Sequence, residues 1–190
     1  NFKEDDVFVY IQMKLYEKSL AGWLKELPSF RPRPQMKSWF KQIVTAVQYL
    51  HEKEIIHRDL KPDNIMFVEN DRIKLCDLGI ATERTFENGE EISTLRSHIY
   101  TALYMSPEQK SSIPIYSSKT DIFALGLILS ELCVVMNDDE RKKIFDGYRK
   151  GESQKHIFDD EETAKFVAFI AEQNSKKRPT CGVILDHPFL

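Results

Sequence analysis

The apolar positions of this chain switch between strand-like runs and helical spacing, and each switch predicts an element. Residues 7–13 form a β-branched and aromatic run, apolar on both faces, which calls for strand neighbours on either side that the chain scarcely supplies. Ser19 stands before residues 20–27, predicting a short helix with Ser19 as N-cap and Pro28 as its stop. Arg31-Pro32-Arg33-Pro34 is a stiff linker that puts Pro34 in the first turn of a helix reaching about Lys53. Within that helix Met36, Trp39, Phe40, Ile43, Val44, Val47 and Leu50 recur at three and four residues, so one wide stripe faces a core. Short apolar runs at 65–68 and 73–75 flank Glu69-Asn70-Asp71-Arg72 and predict a hairpin. Residues 82–97 are polar, contain Gly89 and keep no period, which reads as a mobile loop. Residues 118–136 predict the most buried helix, and amphipathic helices follow near 138–148, 161–173 and 180–186. The sum is an α+β chain, mainly helical. The helix at 138–148 is densely charged and apolar only at Ile144, Phe145 and Tyr148, so its aromatics are expected to be exposed among charges, as on a partner surface.

Composition narrows the picture without deciding it. Of 190 residues 42% are hydrophobic and 30% charged, enough for a sizeable core and unlike a disordered chain. Twenty-seven basic against thirty acidic residues leave a net charge of -3, so direct nucleic-acid binding by this segment is not expected. Cys76, Cys133 and Cys181 form no CxxC pair, which argues against a disulfide framework or zinc site and fits a reducing compartment. The apolar run at 122–136 is short for a bilayer and carries Glu131, so no membrane span is expected. Asn1 is followed by charges rather than a leader, and the chain reads as a fragment of a longer protein.

Chemistry concentrates at His57-Arg58-Asp59-Leu60-Lys61-Pro62-Asp63-Asn64, which matches the pattern H-R-D-L-x-x-x-N. Its five fixed positions coincide by chance in about 1 in 10,000 chains of this length, so ordinary loop composition is a poor account of it. Phosphoryl transfer needs a carboxylate that accepts the attacking hydroxyl's proton and, close by, an amide oxygen for magnesium; Asp59 and Asn64 fit. Asp77-Leu78-Gly79 stands eighteen residues beyond Asp59, after the hairpin, where the hairpin can return a second carboxylate beside the first.

These motifs, with Ser106-Pro107-Glu108, resemble those of eukaryotic protein kinases, in which D-F-G holds magnesium and A-P-E closes the activation segment. The resemblance implies a kinase-like fold represented mainly by its helical large lobe: residues 1–16 a remnant of the small-lobe sheet and hinge, residues 17–190 the large lobe. It implies ATP and Mg2+ as cosubstrate and cofactor, with Asp59, Lys61, Asn64 and Thr101 catalytic and Asn64 and Asp77 on the metal. Met13 would be the gatekeeper, backbone groups of Lys14 and Tyr16 would face adenine, and Met66 and Asp77 would join the nucleotide site. Lys61 resembles the serine/threonine branch. Asp121 and Arg178 match a buried aspartate under the catalytic loop and an arginine paired with Glu108. Tyr10-Ile11-Gln12-Met13, residues 104–109 and residues 121–129 look like the kinases of the α-subunit of translation initiation factor 2, the RNA-activated and endoplasmic-reticulum-stress-activated types above all. That implies this α-subunit as protein substrate, a cytoplasmic site of action with the parent protein anchored to the endoplasmic reticulum in one type, dimerisation through the small lobe, and docking through the helix at 138–148.

Several features stand against an ordinary active enzyme. The Gly-rich loop and its phosphate-binding lysine would lie ahead of Asn1. Tyr100 stands where most relatives carry Gly, whereas Leu78 in place of the usual Phe is a tolerable apolar swap that leaves Asp77 intact. A catalytically silent scaffold, or a sensor module deprived of its dimerising lobe, is therefore the rival reading. Among neighbouring residues, His57 is expected to pack structurally, Arg58 to receive an activation-loop phosphate on Ser93, Thr94 or Ser97, Trp39 and Phe40 to be core, and Cys76 to be an inert thiol.

Overall fold

The computed structural model describes residues 12, 14–16, 18–26, 31–69, 71–83, 86–87, 90–91 and 102–190. Of the expected strand at 7–13 only Gln12 is among them; Met13, the turn at Pro28, the loop phosphosites, Tyr100 and Thr101 lie outside. Helix α1 (Leu20–Glu26) starts at Ser19, whose Oγ accepts from Gly22 N at 3.2 Å. Helix α2 (Arg33–Glu52) carries the seven-residue stripe inward, with all seven members buried. It ends where Lys53 N closes onto the Tyr49 and Leu50 carbonyls, and Glu54 at φ 59 reverses the chain into β1 (Ile55–Ile56).

Strands β2 (Ile65–Val68) and β3 (Arg72–Leu75) form the expected hairpin, with Ile65 opposite Leu75 and Val68 opposite Arg72. Trp39 meets the Trp23 ring at 4.9 Å and the Phe67 ring at 4.6 Å, edge to face, locking α1, α2 and β2 together. The loop expected from residue 82 onward is partly ordered instead. Strand β4 (Thr82–Glu83) pairs antiparallel with β1, and β5 (Phe86–Glu87) with β6 (Glu90–Glu91). Two-residue strands leave no alternation to read, which is why the pattern missed them.

Helix α3 (Ser118–Cys133) is buried on every side, from Thr120 to Leu132, and is the axis of the core. It stops three residues earlier than expected, because Val134 is already extended. Helix α5 (Glu161–Ile170) packs across it so closely that a Cβ on Gly126 would lie 2.7 Å from Ala171. Helix α6 (Cys181–Leu185) closes against α2.

Helix α4 (Asp138–Arg149) opens with a capping box, Asn137 with Glu140. Its aromatics correct the sequence reading: Phe145 is fully buried, and Ile144 and Tyr148 nearly so. Phe145 packs on the Tyr104 ring at 5.5 Å. Three apolar residues at i, i+1 and i+4 suffice to dock a short helix, so only charges remain outside, Glu140, Lys142 and Lys143 among them.

Candidate active site

The loop from His57 to Lys61 has no regular structure of its own and is held from below by Asp121, in the first turn of α3. Asp121 is 1% exposed and its carboxylate accepts three hydrogen bonds: His57 N at 2.9 Å, Arg58 N at 2.8 Å and His51 Nε2 at 2.9 Å. A buried carboxylate needs such donors. Here two consecutive amides supply them, so the grip sets the direction in which the loop leaves β1. Arg58 takes φ 68, a left-handed conformation that a non-glycine residue adopts only under such constraint.

His57 is fully buried and both ring nitrogens are engaged. Nδ1 receives Asp59 N at 3.4 Å and Nε2 lies 3.1 Å from the Cys76 carbonyl, to which it donates. With no ring nitrogen left over, His57 is a strut between this loop and the residue before Asp77 rather than a base.

Above that strut three polar side chains meet. Lys61 Nζ lies 2.6 Å from Asp59 Oδ2, and Asn64 Nδ2 reaches both Asp59 Oδ2 at 3.2 Å and the Asp59 carbonyl at 2.9 Å. Both contacts fall on one carboxylate oxygen, and Oδ1 has no partner among the described residues. Asn64 ends a single 3-10 turn, Pro62–Asn64, that curls the chain back onto Asp59. Its committed Nδ2 leaves the amide oxygen as the atom able to face a cation.

The hairpin brings the second carboxylate. Cys76 N donates to Asn64 O at 2.8 Å, extending the β2–β3 ladder by one pair, so Asp77 leaves the ladder beside Asn64. Asp77 is exposed, sits at φ 63 and accepts from Gly79 N at 3.3 Å. Among the described residues no group of three His, Cys, Asp or Glu side chains stands ready to hold a metal alone. One amide and one carboxylate oxygen do suit magnesium, which keeps several waters and shares phosphate oxygens rather than demanding a protein cage. Burial pushes the Cys76 thiol above its ordinary value, Asp77 adding to the effect and Lys74 opposing it.

Of the expected adenine-side residues, Lys14 is exposed and Tyr16 half-buried, with Lys74 Nζ 5.7 Å from its ring. Met66 bridges to Ser19, and Phe67 N donates to Lys18 O at 2.9 Å, so Lys18 and Ser19 run along β2. Met66 is therefore brought beside Lys18 and Ser19. Leu78 is half exposed. Arg58 Nε donates to Ile80 O at 2.5 Å, its guanidinium lies 5.4 Å from the Tyr116 ring, and its Nη1 is buried with no acceptor among the described residues.

Behind the site, Arg178 spends all five of its donors. Nη1 and Nη2 bind Glu108 at 2.5 and 2.9 Å, and the carbonyls of Lys119, Gln173 and Glu172 take the rest. Gln109 ties the same segment to the catalytic loop through Ser106 N and Arg58 O. One cluster escaped sequence reasoning. Tyr104 donates to buried Glu131, and Arg141 Nη1 donates to its other oxygen at 2.8 Å. The visible signal was a glutamate within an apolar run, which by itself names no partner.

The protein kinase domain family model matches residues 1–190. The chain belongs to the protein kinase domain family. Among curated proteins, this kinase domain is 40% identical over 180 residues to the interferon-induced, double-stranded RNA-activated protein kinase of Rattus norvegicus, covering 93% of the chain and 34% of that protein. It is 33% identical over 202 residues to the eukaryotic translation initiation factor 2-alpha kinase pek-1 of Caenorhabditis elegans, covering 98% and 19%. With the eIF-2-alpha kinase GCN2 of Homo sapiens the identity is 32% over 205 residues, covering 96% and 12%. The chain thus spans about a third or less of these relatives. Among the described residues of the kinase domain no helix is long and apolar enough to cross a membrane.

Proposed function

We propose that this chain is the catalytic core of an ATP-dependent protein serine/threonine kinase acting on the α-subunit of translation initiation factor 2. The observation that carries the chemistry is Asp59, held at its Oδ2 between Lys61 and Asn64 with Asp77 delivered beside Asn64 by the hairpin. In this reading residues 1–16 belong to the small lobe and hinge, and residues 17–190 form the large lobe. Asp59 orients the acceptor hydroxyl and takes its proton, a role for a carboxylate with a free oxygen. Lys61, already against Asp59, steadies the transferring phosphate. Magnesium, held by Asn64 and Asp77, would neutralise charge on the ATP phosphates. Thr101 would support Asp59 and Lys61; Met13, Lys14, Tyr16 and Met66 would contact adenine.

The substrate assignment rests on similarity to relatives named as kinases of this factor. A cytosolic site of action follows from it. The test is transfer of labelled phosphate from ATP to the purified α-subunit by the complete parent protein, with Asp59→Asn as control. Labelling that the control abolishes is expected; equal labelling by both would overturn the reading. ATP binding without transfer would instead identify a silent scaffold.

A further inference from the structure

Residues 103–105 belong to no helix or strand, and among the described residues neither the Leu103 nor the Met105 carbonyl has a backbone partner. Carbonyls taken partly out of water still need donors. Both find the same side chain. Arg149, in the last turn of α4, donates from Nε to Met105 O at 2.7 Å and from Nη2 to Leu103 O, while Nη1 binds Asp146 at 2.7 Å. One guanidinium thus grips the main chain at two residues, as a neighbouring strand would.

What that grip holds lies beside Asp59. Tyr104 and Met105 share with Arg58, Asp59 and Leu60 a void of only about 10 Å³, scarcely room for one water. The two stretches are therefore closely packed, and a shift of one is felt by the other. Gln109 ties the downstream end to the catalytic loop through Ser106 N and Arg58 O, and Arg149 holds the backbone upstream of it.

Anchoring α4 does not account for this arginine. Ile144, Phe145 and Tyr148 already supply the apolar contact, whereas Arg149, 8% exposed, adds a guanidinium whose burial opposes its charge, Asp146 only partly offsetting this. An apolar residue would pack there at less cost. The guanidinium brings what packing cannot, several donors in one rigid plane that span two carbonyls. Resting on the protein-kinase reading, we propose that Arg149 is a positioning residue for phosphoryl transfer: it locks residues 103–105 against the catalytic loop and through them keeps Asp59 aligned with the acceptor hydroxyl. Its hydrogen bonds reach none of the described residues assigned to ATP or magnesium, so nucleotide binding is not expected to depend on it.

The test uses the complete parent kinase with saturating α-subunit as acceptor. Arg149→Gln, which lacks the fork that spans both carbonyls, should lower kcat about tenfold with KM for ATP unchanged, and Arg149→Lys about threefold. A double-mutant cycle with Asp59→Asn decides how the loss arises. Because Arg149 acts by aligning the Asp59 carboxylate, its tenfold effect should shrink below about twofold once that carboxylate is gone. A merely structural loss, which lowers the fraction of folded enzyme, would persist at tenfold in both backgrounds and overturn the proposal. Should Arg149→Gln not fold, Arg149→Lys carries the same cycle, its threefold effect vanishing in Asp59→Asn if the proposal holds and persisting if it does not. An unchanged kcat in Arg149→Gln, or a rise in KM for ATP as large as the fall in kcat, would also overturn the positioning role while leaving the kinase reading standing. Failure of the wild-type protein to phosphorylate the α-subunit or any other protein would overturn both.

Discussion

At the scale of residues, the two carboxylates of the site sit in different surroundings, and that separates their expected roles. Asp59 is clamped on one oxygen by Lys61 and Asn64, whereas Asp77 is exposed at the end of a hairpin with one contact from Gly79. In the complete protein, Asp59→Asn should lower turnover by about 10²–10⁴-fold with ATP affinity nearly kept. Asp77→Asn should weaken magnesium-dependent ATP binding on the order of tenfold or more. Titrating ATP against each variant checks this, and equal effects on affinity would reject the division of labour. The identities of Asp59, Asn64 and Asp77 as a group were legible because a rare spacing named them together. The Glu131–Arg141–Tyr104 cluster was not, because its members lie 27 and 10 residues from Glu131 and no local pattern joins them.

Helix ends and faces carry the next set of consequences. Asp160 caps α5, accepting from Thr163 N at 2.8 Å and pairing with Arg33. Burial pushes its carboxyl up, but the Thr163 hydrogen bonds and Arg33 outweigh this and hold it below the ordinary 3.8. A depressed folded pKa means that the unfolded chain binds more protons, so the contribution is present above 3.8 and fades as pH falls through the folded value. Asp160→Ala should therefore cost about 1 kcal/mol at neutral pH, nearly all of it from the cap, since exposed ion pairs add little. Urea unfolding of both proteins should show the gap closing in acid; a gap independent of pH would contradict it. On α4 the buried Phe145 and Tyr148 remove the aromatic argument for a docking surface, and Arg141 serves the core rather than a partner. If α4 docks the initiation factor, its charges must do so. Reversing Lys142 and Lys143 should then impair phosphorylation of the intact factor at least about tenfold and spare a short peptide, because electrostatic steering acts on the whole partner. Parallel loss on both substrates would remove α4 from recognition.

Across the whole molecule, the site depends on long-range ties rather than on the loops that display it. Arg178 joins Glu108, the first turn of α3 and the residues after α5 through five hydrogen bonds, 2% exposed and over the Phe123 ring. Arg178→Lys cannot reproduce that fork and would leave Glu108 short of partners, costing about 3–5 kcal/mol. Against a typical domain stability of about 5–15 kcal/mol this is large, and a denaturant midpoint shared with the wild type would refute it. The 190 residues contain seven glycines, none spaced as G-x-G, and so no loop of that kind to cover a nucleotide. The chain by itself is expected to transfer phosphate at a negligible rate, because positioning supplies most of this catalysis. Robust turnover by the purified 190-residue chain would contradict that.

The sequence alone determined the helices with long apolar stripes, the β2–β3 hairpin and the motif that groups Asp59, Lys61, Asn64 and Asp77. Each depends on residues close in the chain or at fixed spacing, and local periodicity encodes such relations directly. Tertiary structure decided the rest. It turned Phe145 and Tyr148 inward, closed His57 onto Cys76, ordered the short strands after residue 82 and set Arg149 on two carbonyls beside the catalytic loop. These outcomes depend on which distant surfaces meet. A helix with three apolar residues can face core or solvent, and a histidine can be base or strut, until packing assigns its neighbours.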